Sequence, residues 1–345
     1  EDGASLKVSS PIKETIKECN SQSGINANEA IVGLSGSKTL AFILLTKSER
    51  PDPTKEITSK EMDEIYAKVQ ETAGDQASQR WSTFFADNTE LEPLDLVVNS
   101  VHVDDNLLEN PVGAIGKYIY ITAFCSFVEK NYYHGVLSSL KKAKLNPLAV
   151  TTSSYSQVKV ISEKHKNFIL VDIGRDSTDV SVIFGKNIIQ NKTFDIGGSY
   201  FSKCVSESLG VDREVASGKK VGYAQGTLND QEVDTVGDLL YEAAIDWRAA
   251  LSSTLLSMSG IKSFPQVIYL SGGGANLPVI EEVIYEEAWR QPVPFAGEIN
   301  IVIAGSGLWQ EKFTDRLNVL SGPQIFVPIS LATIKLELEQ EDAET

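Results

Sequence analysis

Cysteine, histidine and methionine are all scarce here: three, three and two among 345 residues. Cys19, Cys125 and Cys204 lie far apart with no CxxC pair, which excludes a disulfide framework and fits the reduced thiols of a cytoplasmic protein. His102, His134 and His165 are equally isolated, so the sequence carries neither a zinc-site pattern nor a His-based catalytic triad. No apolar run reaches the roughly eighteen residues that a membrane-spanning helix requires, and no stretch of this sequence reads as a secretory signal peptide. Positive charge is the other shortage. With 31 Lys and Arg against 47 Asp and Glu, the net charge is −16 and no basic stripe stands out. Binding of nucleic acid or anionic lipid through a broad basic face is therefore excluded.

What the chain does have is concentrated between Asn167 and Gly198, NFILVDIGRDSTDVSVIFGKNIIQNKTFDIGG. Three apolar runs separated by short polar turns predict an antiparallel meander. Its first turn is unusual. Asp172 ends a strand, Gly174 follows, and Ser177, Thr178 and Asp179 lead into the next strand. A glycine there lets backbone approach a ligand, and nearby N–H and hydroxyl groups suit a phosphate. An Asp at a strand end suits a hydrated Mg2+. The plain alternative is an ordinary hairpin with a polar tip.

A second cluster strengthens the site reading. The apolar run Gln266–Leu270 leads into Ser271-Gly272-Gly273-Gly274-Ala275-Asn276, and Pro278 stands where a helix starts. Glycine loops before helix N-termini suit nucleotide groups, and proline suits the first helical turn.

With these motifs on the page, the chain resembles the FtsA family of bacterial division proteins, within the actin-like ATPases. VDIGRDSTDV is similar to that family's second phosphate loop, LSGGGANLP to its adenosine loop, and FDIGGSYFSKCV to the segment where a glycine pair (Gly197, Gly198) precedes a helix. AIVGLSGS (30–37) resembles a family strand, and NPVGAIG (110–116) the NPxGxxG stretch of its extra subdomain. PilM-like pilus proteins share the architecture and are the nearest alternative. The resemblance implies an α/β actin-like (ribonuclease H-like) fold of two lobes with an inserted α+β subdomain. It divides the chain into residues 1–24 as a remnant of the first lobe, 25–147 as the interaction subdomain, 148–325 as the second lobe, and 326–345 as a returning helix with an acidic tail. The family's first phosphate loop lies upstream of the first helix pattern (12–19) and is expected outside this sequence, which opens on Glu1.

The resemblance also implies ligands and partners. ATP with Mg2+ is the expected cofactor, with Asp172 toward the metal through water, Gly174, Arg175, Ser177 and Thr178 toward phosphate, Gly197 and Gly198 also at the nucleotide, and Gly272, Gly273 and Gly274 at the adenosine end. Lys220 and Tyr223 match the family's Lys and Tyr near ribose and base. The family Glu falls on Ser217, with Glu214 one helical turn earlier as a substitute; a solvated Lys-rich surface helix is the plain alternative. Arg175 and Asp176 stand where the family has two glycines; Arg175 suits phosphate, while Asp176 repels it unless turned outward. No strong general base is evident, so a slow ATPase at most is expected. The implied function is a polymerising division scaffold that links the FtsZ ring to the division machinery, with the FtsZ C-terminal tail and further copies of itself as partners. The alternative is a nucleotide-independent, PilM-like partner-binding module. The acidic end of the chain, from Leu336 on, speaks against a basic membrane-surface helix. A cytoplasmic protein, held at the membrane's inner face through partners, is the expectation.

Local patterns predict strands at 29–35, 39–46, 94–101 and 117–127, a helix from Ser59 to Ala73, and a knob or core segment around Trp81, Phe84 and Phe85. Residues 148–166 suggest a helix.

Overall fold

The computed structural model describes residues 3–85, 89–287 and 289–344, with side chains described over 12–83, 89–287 and 289–339. Phe84, Phe85 and the last six residues of the acidic tail therefore lie outside the described side chains. Two compact units are present: one comprises residues 1–34 and 38–152, the other residues 35–37 and 153–345.

The first unit runs α1 (Gly3–Ser23), β1 (Glu29–Leu34), β2 (Thr39–Glu49), α2 (Ser59–Phe85), β3 (Leu91–Val103), β4 (Asn106–Leu108), β5 (Tyr118–Glu129), α3 (Lys130–Lys142) and β6 (Asn146–Thr152). Strands β2, β5, β3 and β4 form one antiparallel sheet in that order. Ile119, Ile121, Ala123, Cys125 and Phe127 alternate along β5 onto the face that meets Met62, Ile65, Val69, Ala73 and Ala77 of α2. The period of two on the strand and the three- and four-residue steps on the helix bury both stripes together. α2 runs twelve residues beyond the predicted Ala73, and Trp81 is buried. Of residues 148–166, where the sequence suggests a helix, Ser153–Ile161 is helical, while residues 148–152 belong to strand β6. Parallel pairing with β1, from Glu29↔Asn146 to Leu34↔Thr152, overrides the weak local preference.

The NPVGAIG stretch (110–116) is tied into this unit by backbone and side-chain hydrogen bonds. Ile57 N–H donates to Ala114 O (2.8 Å) and Gly113 N–H to Ile57 O (2.8 Å). The buried Arg50 guanidinium donates to Gly116 O (2.9 Å), to Lys55 O (2.9 Å) and to both oxygens of Glu61 (2.7 and 3.0 Å). That paired hydrogen bond holds the Glu61 carboxyl below its ordinary range.

The second unit holds α4 (Ser153–Ile161), β7 (Phe168–Ile173), β8 (Thr178–Phe184), β9 (Asn187–Phe194), α5 (Gly198–Leu209), α6 (Arg213–Gln225), α7 (Asp230–Leu256), β10 (Val267–Ser271), α8 (Pro278–Tyr285), β11 (Asn300–Ile303) and α9 (Phe326–Glu344). The sheet order is β11-β10-β7-β8-β9, with β7, β10 and β11 parallel and the meander β7-β8-β9 antiparallel as predicted. β7 is buried along its whole length, which is why FILVDI reads as a continuous apolar run rather than an alternation. Val236, Leu240, Ala243, Trp247, Leu251 and Leu255 of α7 pack on this sheet, each large side chain contributing about 1.5–3 kcal/mol by burial. α7 starts with reciprocal capping: Glu232 N–H donates to Asn229 Oδ1 (3.0 Å), and Asn229 Nδ2 donates to Glu232 Oε2 (2.7 Å). Pro278 opens α8 as expected, and that helix ends at Tyr285. Among the described residues no helix is long and apolar enough to cross a membrane.

Candidate functional site

The turn between β7 and β8 is held from both sides. Gly174 N–H donates to Ser177 O (3.0 Å), while Gly198 N–H donates to Gly174 O (2.9 Å) and Ser199 N–H to Arg175 O (2.7 Å). Gly197 makes the second clamp possible. A Cβ at Gly197 would fall 2.8 Å from the carbonyls of Gly174 and Arg175, so no other residue brings the start of α5 against this turn. Ser199 Oγ donates to Asp176 Oδ1 (2.9 Å), which turns that carboxylate outward, with its side chain 79% exposed.

Beside the turn lies a cavity of about 800 Å³, the size of a small-molecule site. Gly174 and Arg175 of the turn, Gly198, Ser199 and Ser202 of α5, and Gly273 and Gly274 of the glycine loop line it. One face of α6 closes it with Arg213, Ser217, Lys220, Val221 and Ala224, at helical spacing. Lys220 Nζ donates to Gly198 O (2.7 Å), and burial, with the charge of Arg175, holds its pKa below the ordinary lysine value. Among the described residues, three cations and no carboxylate line this cavity, in a chain of net charge −16. That inversion of the local charge is the site's main chemical feature.

The structure thus brings together Gly174, Arg175, Gly198, Lys220, Gly273 and Gly274, and leaves other predicted residues off the lining. Thr178 is fully buried: its hydroxyl donates to Ile196 O (2.6 Å) and accepts from Trp247 Nε1 (3.0 Å), so it pins the sheet to α7 instead of facing phosphate. Ser177 faces Gly36, whose added Cβ would sit 3.2 Å from its Oγ. Gly197 serves the clamp described above. Gly272, at φ +80°, lies against Asp172 and Ile173, where a Cβ would come within 2.5 Å of both. The Tyr223 ring packs against Gly237 of α7 rather than lining the cavity. Glu214 is not on the lining either; Arg213 and Ser217 occupy that stretch of the wall.

Asp172 lies behind the cavity wall. Gln157 Nε2 donates to Asp172 Oδ2 (2.8 Å), while Gln157 Oε1 is buried without a partner among the described residues. Burial pushes the Asp172 carboxyl up. Asp179, opposite Asp172 across the β7–β8 ladder, accepts from Gly36 N–H (3.2 Å) and from the Thr193 hydroxyl. Burial, reinforced by Asp172, raises Asp179 to about 7. Among the described residues no group of three or more His, Cys, Asp or Glu is placed to hold a metal by itself. The donor set fits only an ion that keeps most of its waters and takes its other ligands from a phosphate chain.

Sequence reasoning missed Arg213, Gln157 and Asp179 as parts of this region. Arg213 was legible only as one residue of a polar segment. Gln157 sits on a helix far upstream of Asp172, and no local pattern joins the two. Asp179 was visible at the turn, but its burial was not.

The fold carries a likeness. The protein superposes on a chain of a PilM–PilN type IV pilus biogenesis complex with a TM-score of 0.62, covering 95% of this chain and 84% of the other at 16% identity. The fold is that of the actin-like ATPases. In sequence, the chain is 23% identical to the cell division protein FtsA of Enterococcus faecalis over 201 residues, 52% of this chain and 46% of FtsA. This chain therefore spans about half the length of that relative. A weaker likeness, with a TM-score of 0.44, is to MreB5 of Spiroplasma citri bound to ADP. No family model matches the chain.

Proposed function

We propose that this chain is a nucleotide-binding scaffold of the actin-like kind, which binds ATP to favour an assembly-competent shape and turns it over slowly or not at all. One observation carries the reading: glycine backbone from two loops, Arg175 and Lys220 converge on a cavity that no carboxylate lines among the described residues, in a strongly acidic chain. Backbone amides and cations in a partly enclosed site suit the phosphates of a nucleotide. Mg2+ would be held through water, with Asp172 and Asp179 the carboxylates behind the wall. Both are short of counter-charge, and a cation nearby would favour their ionised forms. Gln157 would orient a water beside Asp172. Among the described residues the lining holds no carboxylate or imidazole to activate that water, which favours binding over turnover.

The finer role follows the likeness to FtsA: a division scaffold that self-associates and takes the C-terminal tail of FtsZ. A second reading, a PilM-like module of pilus assembly, is favoured by the structural match along nearly the whole chain. Calorimetric titration with ATP and ADP, with and without Mg2+, tests the nucleotide reading. Micromolar affinity that falls at least ten-fold in Lys220→Met supports it, and no heat with any of the four would sink it. Binding of an FtsZ-tail peptide, against a pilus partner peptide as the competing arm, separates the two roles.

A further inference from the structure

The cavity's positive charge stands at two places. Arg175 and Lys220 share one end, beside the β7–β8 turn and the start of α5, close enough for each charge to act on the other. Arg213 stands apart, seven residues before Lys220 on α6, or about 10 Å along the helix axis. It occupies the first position of that helix, where a cation works against the helix dipole. Its guanidinium has no ion pair or hydrogen bond among the described residues, and the acidic neighbours Asp212 and Glu214 do not line the cavity. Ser217, one helical turn on, adds a hydroxyl to the same wall.

A nucleoside polyphosphate with an unmodified sugar carries its anions at one end only. A carboxylate on the wall would accept hydrogen bonds from ribose hydroxyls; a guanidinium with a neighbouring hydroxyl instead donates, and matches an oxyanion. We propose that Arg213 and Ser217 form a second anion subsite, and that the cavity takes a nucleotide bearing an additional phosphate on its ribose, at the 3′ or the 2′ oxygen. This rests on the nucleotide reading above and adds a ligand class to it. Arg175 and Lys220 hold the 5′ phosphates, while Arg213 and Ser217 hold the phosphate on the sugar.

The test is calorimetric titration of the whole chain at fixed salt with ADP, 3′-phospho-ADP and 2′-phospho-ADP. One of the two sugar-phosphorylated probes should bind at least ten-fold more tightly than ADP, and which one identifies the oxygen. Arg213→Gln should narrow that ratio to below two-fold. Because Arg213 is exposed and has no partner among the described residues, this variant should melt with the wild type. Ser217→Glu, which places a carboxylate on the same wall, should invert the preference so that ADP binds best. Equal affinity of the wild type for all three probes would overturn the subsite while leaving the nucleotide reading intact. No binding by any of the three would overturn both.

Discussion

Buried charge is treated in opposite ways around Arg50 and around Asp172. Arg50 spends its donors on Glu61 and two carbonyls, and the Asp95 carboxylate accepts from Ser126 (2.5 Å), from the Thr151 hydroxyl (2.5 Å) and from both N–H and hydroxyl of Thr152 (3.1 and 3.0 Å). Each network closes on itself and fixes where strands and loops meet. Asp172 and Asp179, by contrast, face each other with no cation beside them among the described residues, next to Gln157 Oε1, which has no partner among those residues. Closed networks explain themselves by the fold they hold. Open ones store unsatisfied interaction, and this is where a ligand gains most.

The largest effect should come from breaking a closed network. Arg50→Ala strands Glu61 and two carbonyls, and should cost about 3 kcal/mol in urea unfolding. Arg50→Met with Glu61→Leu should recover most of it, because no lone charge remains. Next comes the open side. Lys220→Met should weaken ATP by about ten- to thirty-fold, about 1.4–2 kcal/mol, while the urea midpoint of the free protein moves little.

Asp179→Asn should reverse the sign of the Arg50 result. Asp179 titrates at about 7 in the folded chain against an ordinary 3.8, so it stays protonated in the fold where the unfolded chain has already ionised. Its contribution is fully present below about pH 4 and is lost as pH rises through 7. Asn abolishes that loss, so the variant should gain about 1–2 kcal/mol at pH 8 and nothing at pH 4, read from melting curves at the two pH values. A variant less stable than wild type at both would show that Asp179 belongs with the closed networks. The smallest effect should be Thr178→Val, which removes the bonds to Ile196 and Trp247 for about 1 kcal/mol of stability. ATP affinity should hold within two-fold; a ten-fold loss would return Thr178 to the phosphate site.

Much of the fold was legible locally. The meander and the proline that opens α8 each follow from periodicity or a single residue's backbone chemistry. The glycine motifs were legible as a set but not one by one. Gly197 and Gly274 look alike in the chain, yet one clamps a turn and the other lines the cavity. Thr178 and Ser177 carry the hydroxyls that a phosphate loop would use, and the structure spends the first on Trp247, 69 residues away.

What the sequence determined by itself was the order of elements, the acidic balance and the places where backbone must run close to something, because glycine, proline and apolar period act within a few residues. Tertiary structure decided strand β6, which exists only through its pairing with β1, and decided which polar groups became structural. It also gathered Arg175, Arg213 and Lys220 around one cavity, since burial and charge depend on neighbours that the chain brings from far along its length.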